Sequence, residues 1–166
     1  MSGGDGAPRS SSAAHFPRVD VQRRVRGWAP RTGHIVLWAG SALGRRASGT
    51  ELAVRVVGPA ESRRLNACYR GKDKPTNVLS FPAQLPPAAR PGLRPLGDLV
   101  ICAQVVRSEA REQGKALRAH WAHMVVHGTL HLIGYDHVQL SDARRMERRE
   151  IAVLRRLGFD NPYSSR

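Results

Sequence analysis

Along the chain the spacing of apolar residues changes between a period of two and a period near 3.6, and those changes mark the elements. Glu51 to Val57 begins as an alternation, with Leu52, Val54 and Val56 on one side, and predicts a half-buried strand. Val19, Val21 and Val25 suggest a weaker strand before it, and residues 35–43, from Ile35 through Trp38 to Leu43, predict a helix bounded by glycines. Gly58-Pro59 stops the 51–57 strand, and Pro59 suits the first turn of a helix over 60–69 with Leu65 and Tyr69 on one face. After a polar loop, 70–76, come two further strands at 77–81 and 97–102. Between them, 82–95 is rich in proline and predicts an irregular loop flanking a cleft. Three helices close the chain, over 103–115, 116–133 and 141–157. The last carries Met146, Ile151, Leu154 and Leu157 near helical spacing and stops at Gly158. Strands and helices interleave without a regular βαβ repeat, which predicts an α+β domain: a small mixed sheet packed against several helices.

At 166 residues the chain has room for one core. Residues 1–17 are Gly, Ser, Ala and Pro with few large apolar side chains, so they are expected to form a disordered tail, with a single domain over 18–166. No apolar run reaches the length of a membrane span, and the first seventeen residues lack the apolar stretch of a secretion signal. Cys68 and Cys102 are the two cysteines; each falls in an element pattern and is expected to be a small buried side chain in a reducing compartment. A cytoplasmic protein without membrane partners is expected.

The charge narrows the partners. Lys and Arg number 27 against 13 Asp and Glu, a net charge of +14 with a sequence pI near 11.4. Such a chain attracts polyanions, of which nucleic acid is the commonest.

The chemistry lies in His127-Gly-Thr-Leu-His131-Leu-Ile-Gly134-Tyr-Asp-His137. Four residues apart on a helix, His127 and His131 leave the same face. Gly134 can take the left-handed conformation that ends a helix, so the chain can return His137 towards the other two. Three neutral imidazoles leave one position of a tetrahedral zinc open, the arrangement of a catalytic site. Metzincin proteases share the spacing but carry a glutamate after the first histidine as general base, and Gly128 stands there instead. A metal site without that base, on a strongly basic chain, favours a phosphodiester substrate over a peptide.

Further residues extend the pattern: Leu65-Asn66 to Arg70, Lys74 to Pro82, Leu96-Gly97-Asp98, His127 to His137, Met146-Glu147 and Glu150. In that order, over about residues 17–161, they resemble the YbeY family of bacterial metal-dependent endoribonucleases. The resemblance implies a zincin-like fold, one zinc held by His127, His131 and His137, and cleavage of single-stranded RNA. It further implies action on the 3′ end of 16S rRNA and in late ribosome quality control, with the ribosome or its small subunit as partner. Arg70 matches the family's functional arginine, whose guanidinium fork suits a phosphate oxygen and the charge that grows on it; otherwise it would be a helix-end arginine stabilising terminal carbonyls. Many members have aspartate where this chain has Asn77, and Asn77 is expected to bond the backbone at a strand start.

Other residues carry structural expectations. Asp136 orients an imidazole or caps the next helix. His123, one turn before His127, and His120 serve packing or hydrogen bonding rather than ligation, and Met146 is a core residue. Two other classes remain open at this point: a zincin-like hydrolase of peptides or small molecules, and a non-enzymatic ribosome-associated factor containing zinc.

Overall fold

A computed structural model describes residues 16–84 and 92–164. The expected tail therefore lies outside the described residues except at Phe16 and Pro17. Pro17 is buried, and a Cβ added at Gly40 would stand 3.2 Å from both residues, so they belong to the packed structure. Residues 85–91 of the proline-rich loop are likewise outside the described residues.

The order of elements is β1 (Arg18–Arg23), α1 (Thr32–Leu43), β2 (Thr50–Val57), α2 (Pro59–Arg70), β3 (Val78–Pro82), β4 (Arg94–Cys102), α3 (Ala103–Glu112), α4 (Leu117–Leu132) and α5 (Leu140–Arg156). The strands form one mixed sheet in the order β1-β2-β4-β3. β1, β2 and β4 run parallel, and β3 pairs antiparallel with β4 at the edge, Leu79 opposite Val100. This is the predicted α+β architecture of a small mixed sheet with several helices.

The sheet is covered on both faces because its strands alternate. Leu52, Val54, Val56, Val78, Leu99 and Ile101 share one core with α1, α4 and α5, whose Trp38 and Trp121 are fully buried. Val57, Leu79, Val100 and Cys102 form a second apolar layer against Leu65, Phe81 and Val105. α4 is apolar on nearly all sides and runs through the middle, in contact with α1, α3, α5, β3 and β4. A helix of that kind is stable only as a core element. Its two metal-type histidines are therefore held by the most buried segment of the molecule.

Several expectations change in detail. α1 starts at Thr32 and takes Gly33 into its first turn, and β4 starts at Arg94, within the loop expected to reach 95. Cys68 is exposed, because α2 buries a polar face instead: Ser62 and Asn66 point inward, while Tyr69 lies outside against the ring of Phe81. Ser62 Oγ donates to the Thr76 carbonyl at 2.9 Å and accepts from Thr76 N at 3.0 Å, and Asn66 Nδ2 donates to the Lys74 carbonyl at 2.8 Å. That face pins the loop between α2 and β3. On α5 the buried stripe is Met146, Glu150, Val153 and Leu154; Ile151 and Leu157 are only half-buried. The described ends of the proline-rich loop, Ala83, Gln84 and Pro95, line a groove with Arg18 and Glu51 and do not border the histidines.

Candidate metal centre

α4 ends where the sequence demands. Gly134, at φ +97°, turns the chain after His131, and Tyr135 N donates back to the Leu130 carbonyl at 3.0 Å. Asp136 Oδ1 accepts from the backbone N–H of His137 at 2.7 Å and shapes this turn. Among the described residues its carboxylate makes no hydrogen bond to an imidazole, and the N-cap of α5 is Gln139 rather than Asp136. The turn carries His137 back: nitrogens of His127, His131 and His137 all lie within 4.8 Å of one another. His127 and His131 are half-buried, and His137 is exposed.

Counting protons shows what these three residues fit. His127 Nδ1 is bonded to Oε1 of the fully buried Glu150, and an ionised carboxylate only accepts, so the proton sits on Nδ1. His131 Nδ1 lies 2.8 Å from the Tyr135 carbonyl, also an acceptor, so its proton is there as well. With both rings neutral, both Nε2 atoms present lone pairs, and these face each other at 3.1 Å. Two acceptors at that separation repel unless a cation lies between or beside them. A tetrahedral zinc with Zn–N of about 2.0–2.1 Å would set its nitrogens about 3.3 Å apart, so the donor set fits such an ion.

The electrostatics favour a neutral imidazole at His131 and at His123. His131 is pushed down to about 4, chiefly by burial and then by the neighbouring His127 and His137. Burial also lowers His123, outweighing the attraction of Glu150. Burial would raise the carboxyl of Glu150, but the adjacent His123 and His127 overcome it and hold the group well below the usual carboxylate range. The bonds of Glu150 and Tyr135 to the histidines are not readable from the histidine motif. His123, His127 and Glu150 also come within 4.8 Å of one another. That trio is a hydrogen-bonded support, because His127 Nδ1 is already engaged by Glu150.

The position where the proteases carry their glutamate is tightly packed here. A Cβ on Gly128 would lie 2.9 Å from Leu99 Cδ2, 3.2 Å from Val78 Cγ2 and 3.3 Å from Ser80 Oγ, and Ser80 Oγ donates to the Gly128 carbonyl at 3.1 Å. Here α4 lies directly on β3 and β4. Gly128→Glu is expected to destabilise the protein by more than about 3 kcal/mol, since overpacking and a buried carboxylate add. Urea unfolding checks this; a stable variant with casein-cleaving activity would contradict it.

A cleft of about 410 Å³ opens over the three histidines, lined also by Arg70, Asn77, Val78, Ser80, Ala143, Met146, Glu147, Glu150 and Tyr163. Met146 is buried as expected while forming part of this wall. Arg70 reaches the cleft from the last turn of α2. That helix end is finished by Gly71 in the left-handed conformation, with Gly71 N donating to Ala67 O at 3.1 Å and Lys72 N to Asn66 O at 3.3 Å. The carbonyl-capping role is thus filled by backbone, and the exposed Arg70 has no hydrogen-bond or ion-pair partner among the described residues. Asn77 Oδ1 accepts from Val78 N at 2.6 Å, and its Nδ2 donates to both oxygens of Glu109 at 3.1 and 3.2 Å. Glu109 also meets His120 Nε2 at 2.7 Å. Asn77 is a strand-start residue, as expected, and His120 and His123 belong to the supporting bonds around the site.

A mixed sheet over a buried His-x-x-x-His helix, with a third histidine returned by a glycine turn, defines a zincin-like domain. The chain shares this fold with the solution structure of TM1509 from Thermotoga maritima, at 23% identity and a TM-score of 0.55, over 82% of this chain and 86% of that one. The family model described as Endoribonuclease YbeY matches residues 32–158, and the chain belongs to that family of endoribonucleases. No helix among the described residues is long and apolar enough to cross a membrane.

Proposed function

We propose that the chain is a zinc-dependent endoribonuclease specific for single-stranded RNA, acting at the 3′ end of small-subunit rRNA and in late ribosome quality control. The supporting observation is the pair of facing lone pairs on His127 and His131, in a cleft that also receives Arg70. His127, His131 and His137 would hold the ion. Zinc, when bound, supplies Lewis acidity that polarises a phosphoryl oxygen and makes water acidic enough to attack near neutral pH.

The chain's own residues do the rest. Arg70, at the rim and without a partner among the described residues, would take a non-bridging phosphate oxygen in its fork and stabilise the charge that develops on phosphorus. Asn77 is fully engaged with Glu109 and Val78 and holds the floor of the cleft beside the metal helix. The +14 charge would draw the RNA backbone in. Attack at phosphorus needs a backbone released from A-form geometry, which favours a single strand. A peptidase reading lacks its base, because the position that would carry it is closed by β3 and β4.

The test is zinc-loaded protein against single-stranded RNA, duplex RNA and casein, each with and without chelator. Single-stranded RNA should be cut, more slowly as salt rises. Chelator should stop the reaction and added zinc restore it. Cleavage of casein, or RNA cleavage indifferent to chelator, would overturn the proposal.

A further inference from the structure

Beyond α5 the chain turns back over α4. Tyr163 N donates to Asn161 Oδ1 at 2.9 Å, and Lys115 Nζ donates to the Pro162 carbonyl at 2.6 Å, so the turn is anchored to the loop that precedes α4. The anchored turn delivers the Tyr163 hydroxyl to Glu150 Oε2, while Glu150 Oε1 holds His127 Nδ1. Tyr163 also forms part of the cleft wall.

The protons in this chain have one consistent placement. Tyr163 has a single O–H and gives it to Glu150. Its oxygen must therefore accept at His123 Nε2, 3.3 Å away, which puts the His123 proton on Nε2 and leaves Nδ1 bare. The buried His123 Nδ1 has no partner among the described residues, so no bond there competes with this assignment. Glu150, with no exposed surface, accepts from a different residue on each oxygen and cannot rotate without breaking both bonds.

We infer that Glu150 and Tyr163 are positioning residues: together they lock His127 in the tautomer and orientation that aim its Nε2 at the metal position. The inference rests on the three-histidine reading of the site. Ligating histidines elsewhere give their second N–H to such a partner, and removing it costs about 10–100-fold in metal affinity. What is new here is the second link, a tyrosine from the turn after α5 that fixes the carboxylate itself.

The experiment compares full-length wild type with Glu150→Gln and Tyr163→Phe. Zinc affinity is measured by chelator competition, and the His127 tautomer by ¹⁵N NMR of the metal-free protein. Wild type should show a single tautomer protonated on Nδ1. Glu150→Gln should lose about 10–100-fold in affinity and show mixed tautomers. Tyr163→Phe should lose about fivefold, the worth of one hydrogen bond. Melting of the metal-free proteins separates these effects from general damage. Should Glu150→Gln fail to fold, Tyr163→Phe decides alone, since its ring remains and only the hydroxyl is removed. Wild-type affinity and an unmixed tautomer in the folded variants would overturn the inference. A wild type that binds no zinc would instead overturn the metal reading beneath it.

Discussion

His131→Ala is expected to empty the metal site and abolish RNA cleavage while the fold survives. His131 supplies one of the two facing Nε2 atoms, and its other nitrogen is tied to the Tyr135 carbonyl, so no neighbour can replace it. A metal ion contributes several kcal/mol of transition-state stabilisation, which places the loss on the order of 10³-fold or more. Elemental analysis of the purified variant, beside circular dichroism, is the check. Full metal occupancy in the alanine protein would mean that the ligand set is wrong.

Arg70→Ala should act differently, lowering turnover by about 10²–10³-fold with metal content and folding unchanged. The guanidinium is exposed, has no partner among the described residues and is released from capping duty by Gly71, so its removal leaves no described buried group stranded. Arg70→Lys should restore only part of the rate, because an ammonium cannot offer two parallel donors to one phosphate. Single-turnover kinetics at saturating RNA separate this loss from weaker binding. Turnover equal to wild type would return Arg70 to the surface.

The clustering of the three histidines was legible because its logic is local. His127, His131, Gly134 and His137 fall within eleven residues, and helix geometry plus one glycine turn bring them together. The strands were legible too, from alternation in β2 and from apolar runs in β3 and β4. The support of the centre was not, because it depends on how distant segments pack. Glu150 is separated from His127 by 23 residues, and its burial contradicts the apolar stripe through Ile151 that spacing suggests. A charged residue paired inside a core breaks the hydrophobic pattern where function requires it. Tyr163 follows the last helix, in a turn with no periodicity to read. Cys68 and the inward face of α2 failed for a related reason: Ser62 and Asn66 serve backbone groups of the next loop, a need that hydropathy does not register.

The three histidines are also unequal mechanically. His127 and His131 ride on a helix gripped on several sides by apolar packing, and each has its second nitrogen pinned. His137 hangs on an exposed turn followed by Val138 and Leu140, which are 78% and 68% exposed. Local opening is easiest where few buried contacts must break. Two of the three histidines therefore form a rigid seat, and the third sits on a latch, the part of the group that opens most easily.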